Sequence, residues 1–313
     1  MHASVVGSTH VDFYIRVPKL PRPGETVKGK GFVIKPGGKG ANQAVGLGRL
    51  GIEVYMIGRI GKDYKDFLIS NFTRNNVRTD YVFIDEEVNT GIAFILLSDD
   101  GENMIAFEPG TDNRLSQADL EKSEEIIRGS RVLLTQLEIP LETVSTALDI
   151  AKRHGVTTVL NPAPVQPLPF KVLEHADVLT PNAVEASMLT GIEVSGVDSA
   201  LEAGRKLLEK GVGAAVITLG ARGSVVVRST DAYFIPAVRV EPVDTTGAGD
   251  AFNAGLAYGL MHGKDLVESV RLASIVAGLK VTKMGAQDGL PWLEELEKEK
   301  PWLYDQTKPV RIS

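Results

Sequence analysis

"RVLLTQLEIPLETVSTALDIAKRHGVTTVLNPAP", residues 131–164, holds three patterns in order. "RVLLTQLE" is a short apolar run of strand length. "LETVSTALDIAKRHG" is amphipathic at helical spacing and closes on a glycine, where a helix C-terminus is expected. "VTTVLNPAP" is a second apolar run, stopped by prolines. Two buried strands with an amphipathic helix between them form a β-α-β unit, and its strands must lie parallel.

The alternation continues on both sides. "ASVVGS", "VYMIGRIG", "ADVLTPN" and "AAVITLG" read as strands. "GKGANQAVGLGRLG", "YKDFLISNFTRNN", "SQADLEKSEEIIRGS" and "ALEAGRKLLEKG" read as helices. The expected fold is α/β: a single domain over residues 1–313 with a doubly wound, mainly parallel sheet flanked by helices. Ligands then bind beyond the C-terminal ends of the strands. Roughly residues 14–36 and 90–109 break the rhythm. The first carries Pro18, Pro21, Pro23 and Gly24 before the alternating "TVKGKGFVIK". In the second, two strands flank the turn signal Asp99-Asp100-Gly101. Together they predict a small antiparallel β lid, discontinuous in sequence, that covers a site or forms an oligomer surface. After Gly289 a short helix, "PWLEELEKEK", and an irregular end are expected.

Composition narrows the function. The 313 residues include 34 Lys+Arg and 40 Asp+Glu, a net charge of -6, which argues against a general nucleic-acid or membrane-surface binder. The lack of cysteine excludes disulfides, thiolate metal sites and cysteine nucleophiles. No apolar run reaches membrane-spanning length. "MHASVVGSTH" does not read as a signal peptide, so a cytoplasmic protein is expected. "GLGRLG" at Gly46–Gly51 fits a dinucleotide pattern but follows a helical stretch rather than a strand, and reads as packing.

"DTTGAGDAF", Asp244–Phe252, precedes a helix rich in small residues. It puts Gly247, Ala248, Gly249 and Asp250 at a helix N-terminus, where N–H groups lack partners and the dipole favours anions. An Asp cap explains Asp250 but not the Gly-Ala-Gly before it. An anion hole beside a base explains both, because phosphoryl transfer needs an N–H cradle for charge and an acceptor for a hydroxyl proton. In "PGGKGANQA", two glycines open a helix, and Lys39 and Asn42 lie three apart, suited to hydroxyl or phosphate recognition. "TLGARG", Thr218–Gly223, lets backbone pass near a nucleotide or is an ordinary turn. Asn182 and Glu185 in "LTPNAVEA" suit water-mediated Mg²⁺ or form a capping pair. Glu138 ends a strand at the ligand-binding edge.

From Val5 to about Trp292, these motifs and their order resemble the ribokinase-like (PfkB) carbohydrate kinases. "GGKGANQA" and "DTTGAGDAF" look like that family's two signatures, with "NPAP", "LTPNAVEA" and "ITLGARG" between them. The order is most similar to the members that phosphorylate D-ribose. The resemblance implies ATP-dependent transfer to the ribose 5-hydroxyl, with Asp250 as base and Gly247–Gly249 as anion hole. It implies sugar contacts from His10, Asp12, Gly38, Lys39, Asn42 and Glu138. It implies a nucleotide site from Thr218, Leu219, Gly220, Ala221, Arg222, Gly223, Gly249 and Ser274, with Asn182 and Glu185 organising Mg²⁺ and phosphates. A monovalent-cation loop is implied at Asp244, Thr246, Lys280, Lys283, Gly285 and Gly289, several acting through carbonyls, so K⁺ activation is expected. A homodimer through the lid is implied as well. Two positions depart from the family: His10 stands where asparagine is usual, and Gly289 where a serine usually completes the cation site. The alternatives are a kinase of the same family acting on deoxyribose, a hexose or a nucleoside, or a non-catalytic sugar sensor.

Overall fold

A computed structural model describes all residues, 1–313. The first seven strands are β1 (His2–Val6), β2 (His10–Val17), β3 (Gly31–Gly37), β4 (Val54–Gly61), β5 (Val77–Asp85), β6 (Gly91–Ser98) and β7 (Asn103–Glu108). The rest are β8 (Ser130–Thr135), β9 (Thr157–Leu160), β10 (Val178–Leu179), β11 (Ala214–Thr218), β12 (Gly223–Val227), β13 (Ala232–Pro236) and β14 (Val310–Arg311). Ten strands form one sheet in the order β14-β13-β12-β11-β10-β9-β8-β1-β4-β5. From β11 to β5 every neighbouring pair is parallel, and β12, β13 and β14 add an antiparallel edge. The opening motif folds as read, with β8 and β9 parallel and helix Leu141–Arg153 between them.

Two apolar clusters lie on opposite sides of this sheet. Val132, Leu134, Val159 and Val216 join one, while Leu133, Leu160, Ala215 and Ile217 join the other. Alternate residues of a strand buried on both faces are what helices on both sides require. Helix Lys39–Arg49 packs against helix Ala248–Met261, where Gly46 faces Ala254 closely. "GLGRLG" thus belongs to packing.

The second sheet stands apart, in the order β3-β2-β6-β7. It is two antiparallel pairings, β2 with β3 and β6 with β7, joined by a parallel pairing of β2 with β6. Its first strand starts at His10, four residues before the expected boundary at Tyr14, because "HVDFYIRV" runs unbroken out of the loop after β1. The tail ends in β14, paired with β13, where an irregular end was expected. No helix is long and apolar enough to cross a membrane.

Candidate active site

A cavity of about 1370 Å³ opens between the small sheet and the C-terminal ends of the parallel strands. Several parts of the chain furnish it. The small sheet lends His10, Asp12 and Tyr14, the start of helix Lys39–Arg49 lends Gly38, Lys39 and Asn42, and the "DTTGAGD" turn lends Asp244, Thr246, Gly247 and Asp250. Glu138, just past β8, also lines it.

Gly38 has φ 97, and a Cβ there would lie 2.8 Å from the Ser8 carbonyl. Only glycine lets the chain turn from β3 into the helix so near the loop after β1. Glu138 accepts from the Ser8 hydroxyl at 2.6 Å and from the Lys39 N–H at 2.9 Å, capping that helix from a distant loop. The Lys39 ammonium is largely buried. Burial alone would lower its pKa, but Asp250, Glu138 and Glu185 raise it on balance.

Asp250 stands in the first turn of helix Ala248–Met261 and is 5% exposed. Its carboxylate accepts from Asn42 Nδ2 at 2.8 Å and Gln43 Nε2 at 3.1 Å. The Gln43 carbonyl accepts from Gln136 at 2.7 Å, and the Asn42 carbonyl accepts from Gln287 at 3.0 Å. Each amide's orientation is thereby set by a second partner. Burial raises the Asp250 pKa, against the pull of Lys39 and the two amides. Gly247 has φ 77, and the N–H groups of Gly247, Gly249 and Asp250 donate to no protein acceptor. A Cβ on Gly249 would meet nothing within 4 Å, so the turn faces open space. A buried carboxylate thus sits on the same turn as unpaired donors, an arrangement suited to taking a proton while anionic charge develops beside it.

His10 is held between two acids. Its Nδ1 is 3.2 Å from Asp112 Oδ2 and its Nε2 is 3.5 Å from Asp12 Oδ1. Burial would lower its pKa, but the hydrogen bond and charge of Asp112, with Glu138 and Asp12, raise it to about 9. A protonated histidine therefore stands where asparagine is usual. Asp112 escaped the sequence reading: it is fully buried, 102 residues away, and also accepts from the Thr9 N–H at 2.7 Å. Nothing in "GTDNR" marks it. Gln43 and Gln287 escaped for the same reason, although Gln43 lies inside the quoted glycine-rich motif.

The remaining positions lie outside this cavity. Asn182 and Thr218 adjoin through a parallel bridge, which sets "LTPN" beside "TLGARG". Asn182 and Glu185 form a reciprocal cap: Glu185 Oε2 accepts from the Asn182 N–H at 2.8 Å, and Asn182 Oδ1 from the Glu185 N–H at 2.9 Å. Burial raises the Glu185 pKa, opposed by that hydrogen bond and by Lys39. No three His, Cys, Asp or Glu side chains converge to hold a metal alone. One buried carboxylate with a free oxygen fits Mg²⁺ held jointly by water and phosphates. Gly220 (φ 61) and Gly223 (φ 120) shape the next turn, Leu219, Ala221 and Arg222 complete it, and Arg222 donates to the Ser195 carbonyl. Ser274 is buried on helix Leu266–Val281.

The family model of the pfkB family carbohydrate kinases matches residues 2–293. The chain belongs to this family. Among pfkB relatives, a ribokinase of Haemophilus influenzae is 41% identical over 293 residues, 93% of this chain and 96% of that one. A deoxyribokinase of Salmonella typhi is 33% identical, covering 95% and 98%. The structure of an Arabidopsis thaliana ribokinase complexed with ribose and ATP superposes with a TM-score of 0.89 at 31% identity, covering 95% and 97%. The pfkB fold is thus shared over nearly the whole chain, and the protein is a carbohydrate kinase.

The cation loop implied by the resemblance does not fit a bound K⁺. Asp244 Oδ1 and Oδ2 accept from the Thr246 and Gly285 N–H groups at 2.9 and 2.7 Å, joining the loop to the Asp244–Gly247 turn. The Asp244 carbonyl, however, already accepts from Lys280 Nζ at 2.7 Å. The Lys280 carbonyl is itself taken by the Lys283 N–H at 3.1 Å. The chain's own ammonium thus already holds one of the carbonyls that the resemblance assigns to a free cation.

Proposed function

We propose that this protein transfers the γ-phosphoryl group of ATP to the 5-hydroxyl of D-ribose. The observation that carries the proposal is the shared turn: Asp250, buried and oriented by two amides, directly follows the unpaired N–H groups of Gly247 and Gly249. Asp250 takes the hydroxyl proton, the sugar oxygen forms its bond to phosphorus, and the bond from phosphorus to the ADP oxygen breaks. The turn's N–H groups and Lys39 stabilise the charge that builds on the transferring group. The raised Asp250 pKa brings the base nearer to neutral pH, where proton transfer is most effective. His10, Asp12, Asn42 and Glu138 read sugar hydroxyls, and Thr218–Gly223 with Ser274 hold the nucleotide. Mg²⁺, held through water near Asn182 and Glu185, would neutralise phosphate charge.

The reading treats residues 1–313 as one kinase unit whose small sheet closes over the sugar, excluding water. That sheet exposes Phe32, Phe94 and Met104 on the face turned away from the cavity, an apolar surface that supports a homodimer. A coupled ADP-release assay over D-ribose, 2-deoxyribose, hexoses and nucleosides tests the substrate. A hexose or nucleoside preferred over ribose by kcat/KM would overturn it. Light scattering tests the dimer, and a monomer at micromolar concentration would remove it.

A further inference from the structure

Lys280 lies in the last turn of helix Leu266–Val281 and is completely buried. A long, charged side chain is almost never fully buried without a partner. Its ammonium donates to the Asp244 carbonyl, the residue that begins "DTTGAGD". The surroundings of its stem are equally specific. A Cβ placed on Gly289 would lie 3.0 Å from Lys280 Cε, 2.8 Å from the Gly285 carbonyl oxygen and 3.1 Å from the Lys283 carbonyl oxygen. The end of the Lys280 stem and two loop carbonyls therefore crowd around one point, beside Gly289. Asp244, Lys283, Gly285 and Gly289 are positions the family resemblance assigns to a free cation. The neighbouring lysine goes elsewhere: Lys283 Nζ pairs with Glu295.

We propose that the Lys280 ammonium is itself the cation of this loop, a tethered charge that holds the Asp244–Gly247 turn in shape without K⁺. An ammonium carries one positive charge and three donors aimed at oxygens, which is what a ring of carbonyls requires. A second monovalent cation in the same ring would meet like charge at close range. The absence of a side chain at Gly289 follows from the same arrangement, since Lys280 Cε occupies the space a serine would need. The loop is wired to the base as well. Gln287 donates to Asn42, which donates to Asp250, while Arg49 holds the Gln287 and Leu290 carbonyls at 2.7 Å each. Lys280 touches no substrate and is a positioning residue. Only the turnover arm of the test depends on the ribose kinase reading.

The native protein, with saturating ATP, Mg²⁺ and ribose, is titrated with K⁺ against tetramethylammonium at constant ionic strength. Turnover is expected to change less than twofold. Crystals soaked in Tl⁺, a heavy substitute for K⁺, should show no anomalous peak beside the Asp244 carbonyl. In Lys280→Ala the ring is vacated, so turnover without K⁺ should fall by roughly 10²-fold, the size of a lost oxyanion donor. K⁺ should restore most of it, and Tl⁺ should now bind. A merely structural lysine would show neither rescue nor Tl⁺. If Lys280→Ala does not fold, Lys280→Met fills the same space without charge and should lose turnover with no rescue by K⁺. Activation of the native protein by K⁺ beyond fivefold, a Tl⁺ peak in native crystals, or full turnover of Lys280→Met in tetramethylammonium would each overturn the proposal. If no sugar is turned over at all, the kinase reading falls instead, and Tl⁺ occupancy in native and Lys280→Ala crystals still decides this one.

Discussion

Asp250→Asn tests the base with little change in shape. The carboxylate accepts two hydrogen bonds, from Asn42 at 2.8 Å and Gln43 at 3.1 Å. An asparagine keeps one acceptor and turns its NH₂ toward the other donor. Neither donor can flip freely, because Gln287 and Gln136 donate to the two amide carbonyls. One buried N–H is left unpaired, which costs about 1–3 kcal/mol. Against this, the substitution removes a buried charge, and burial is the largest influence on the Asp250 pKa. The two effects oppose each other, so the melting temperature should move by only a few degrees. Turnover has no such compensation. Losing a general base costs about 10²–10⁴-fold, or roughly 3–5 kcal/mol of transition-state stabilisation. The assay is kcat and KM for ribose in the coupled reaction, with ribose affinity measured by calorimetry and folding by thermal melting. The expected outcome is a collapse in kcat with ribose affinity changed severalfold at most. A folded Asp250→Asn protein within tenfold of native turnover would refute the role of Asp250 as base.

Three further outcomes follow from the same geometry. His10, raised to about 9 in the folded protein against 6.5 for an ordinary histidine, adds stability that is complete below pH 6.5 and disappears as pH rises through 9. Denaturant unfolding should therefore lose up to about 3 kcal/mol between pH 7 and 10, and His10→Asn should flatten that slope; identical slopes would show that His10 is not the source. Gly249→Ala places its methyl group in open space at a helix start, so melting should hold or rise slightly while turnover falls at least tenfold; unchanged turnover would mean that no anion approaches that turn. Gly289→Ser puts a Cβ 2.8 Å from the Gly285 carbonyl oxygen and 3.0 Å from Lys280 Cε, so it should lower both melting temperature and turnover, and tighter K⁺ activation in that variant would contradict the packing.

The order of strands and helices was legible because its cause is local. Apolar period, glycine stops and prolines in Arg131–Pro164 act within a few residues of one another. The small sheet was half legible. Its turn at Asp99-Asp100-Gly101 is local, but the parallel pairing of β2 with β6 joins residues some 80 positions apart, His10 with Gly91 through Val17 with Ser98. The two-residue β14 has no period to detect. Within the site, the glycine turns could be read because they need particular residue types at particular spacings. Asp112, Gln43 and Gln287 could not, since their meaning lies in partners supplied by distant segments. Lys280 is the most instructive case. Matching it to a family position treats it as a backbone carbonyl, whereas its side chain carries a charge on a four-carbon stem, long enough to reach the place that carbonyl would help to form.

His10 and Lys280 share a physical logic. Each is a long or ring-bearing basic side chain buried against oxygens that would otherwise repel one another or stand unpaired. His10 separates Asp12 from Asp112, and Lys280 donates to the Asp244 carbonyl. Together with Lys39, set among Asp250, Glu138 and Glu185, they place fixed basic groups in and beside an otherwise acidic site in a chain of net charge -6. Fixed charges need no reorganisation when substrate arrives, which is the condition under which electrostatic stabilisation is most effective. They also cannot be diluted away, as a dissociable ion can. On the proposed reading, the sugar end and the phosphate end of the cavity are therefore organised by the folded chain itself. Asp250, the proposed base, is held by amides from helix Lys39–Arg49, which is more than 200 residues away in sequence. A base placed by contacts of that range is in position only once the N- and C-terminal parts of the sheet have come together, so catalytic competence should appear only with complete folding.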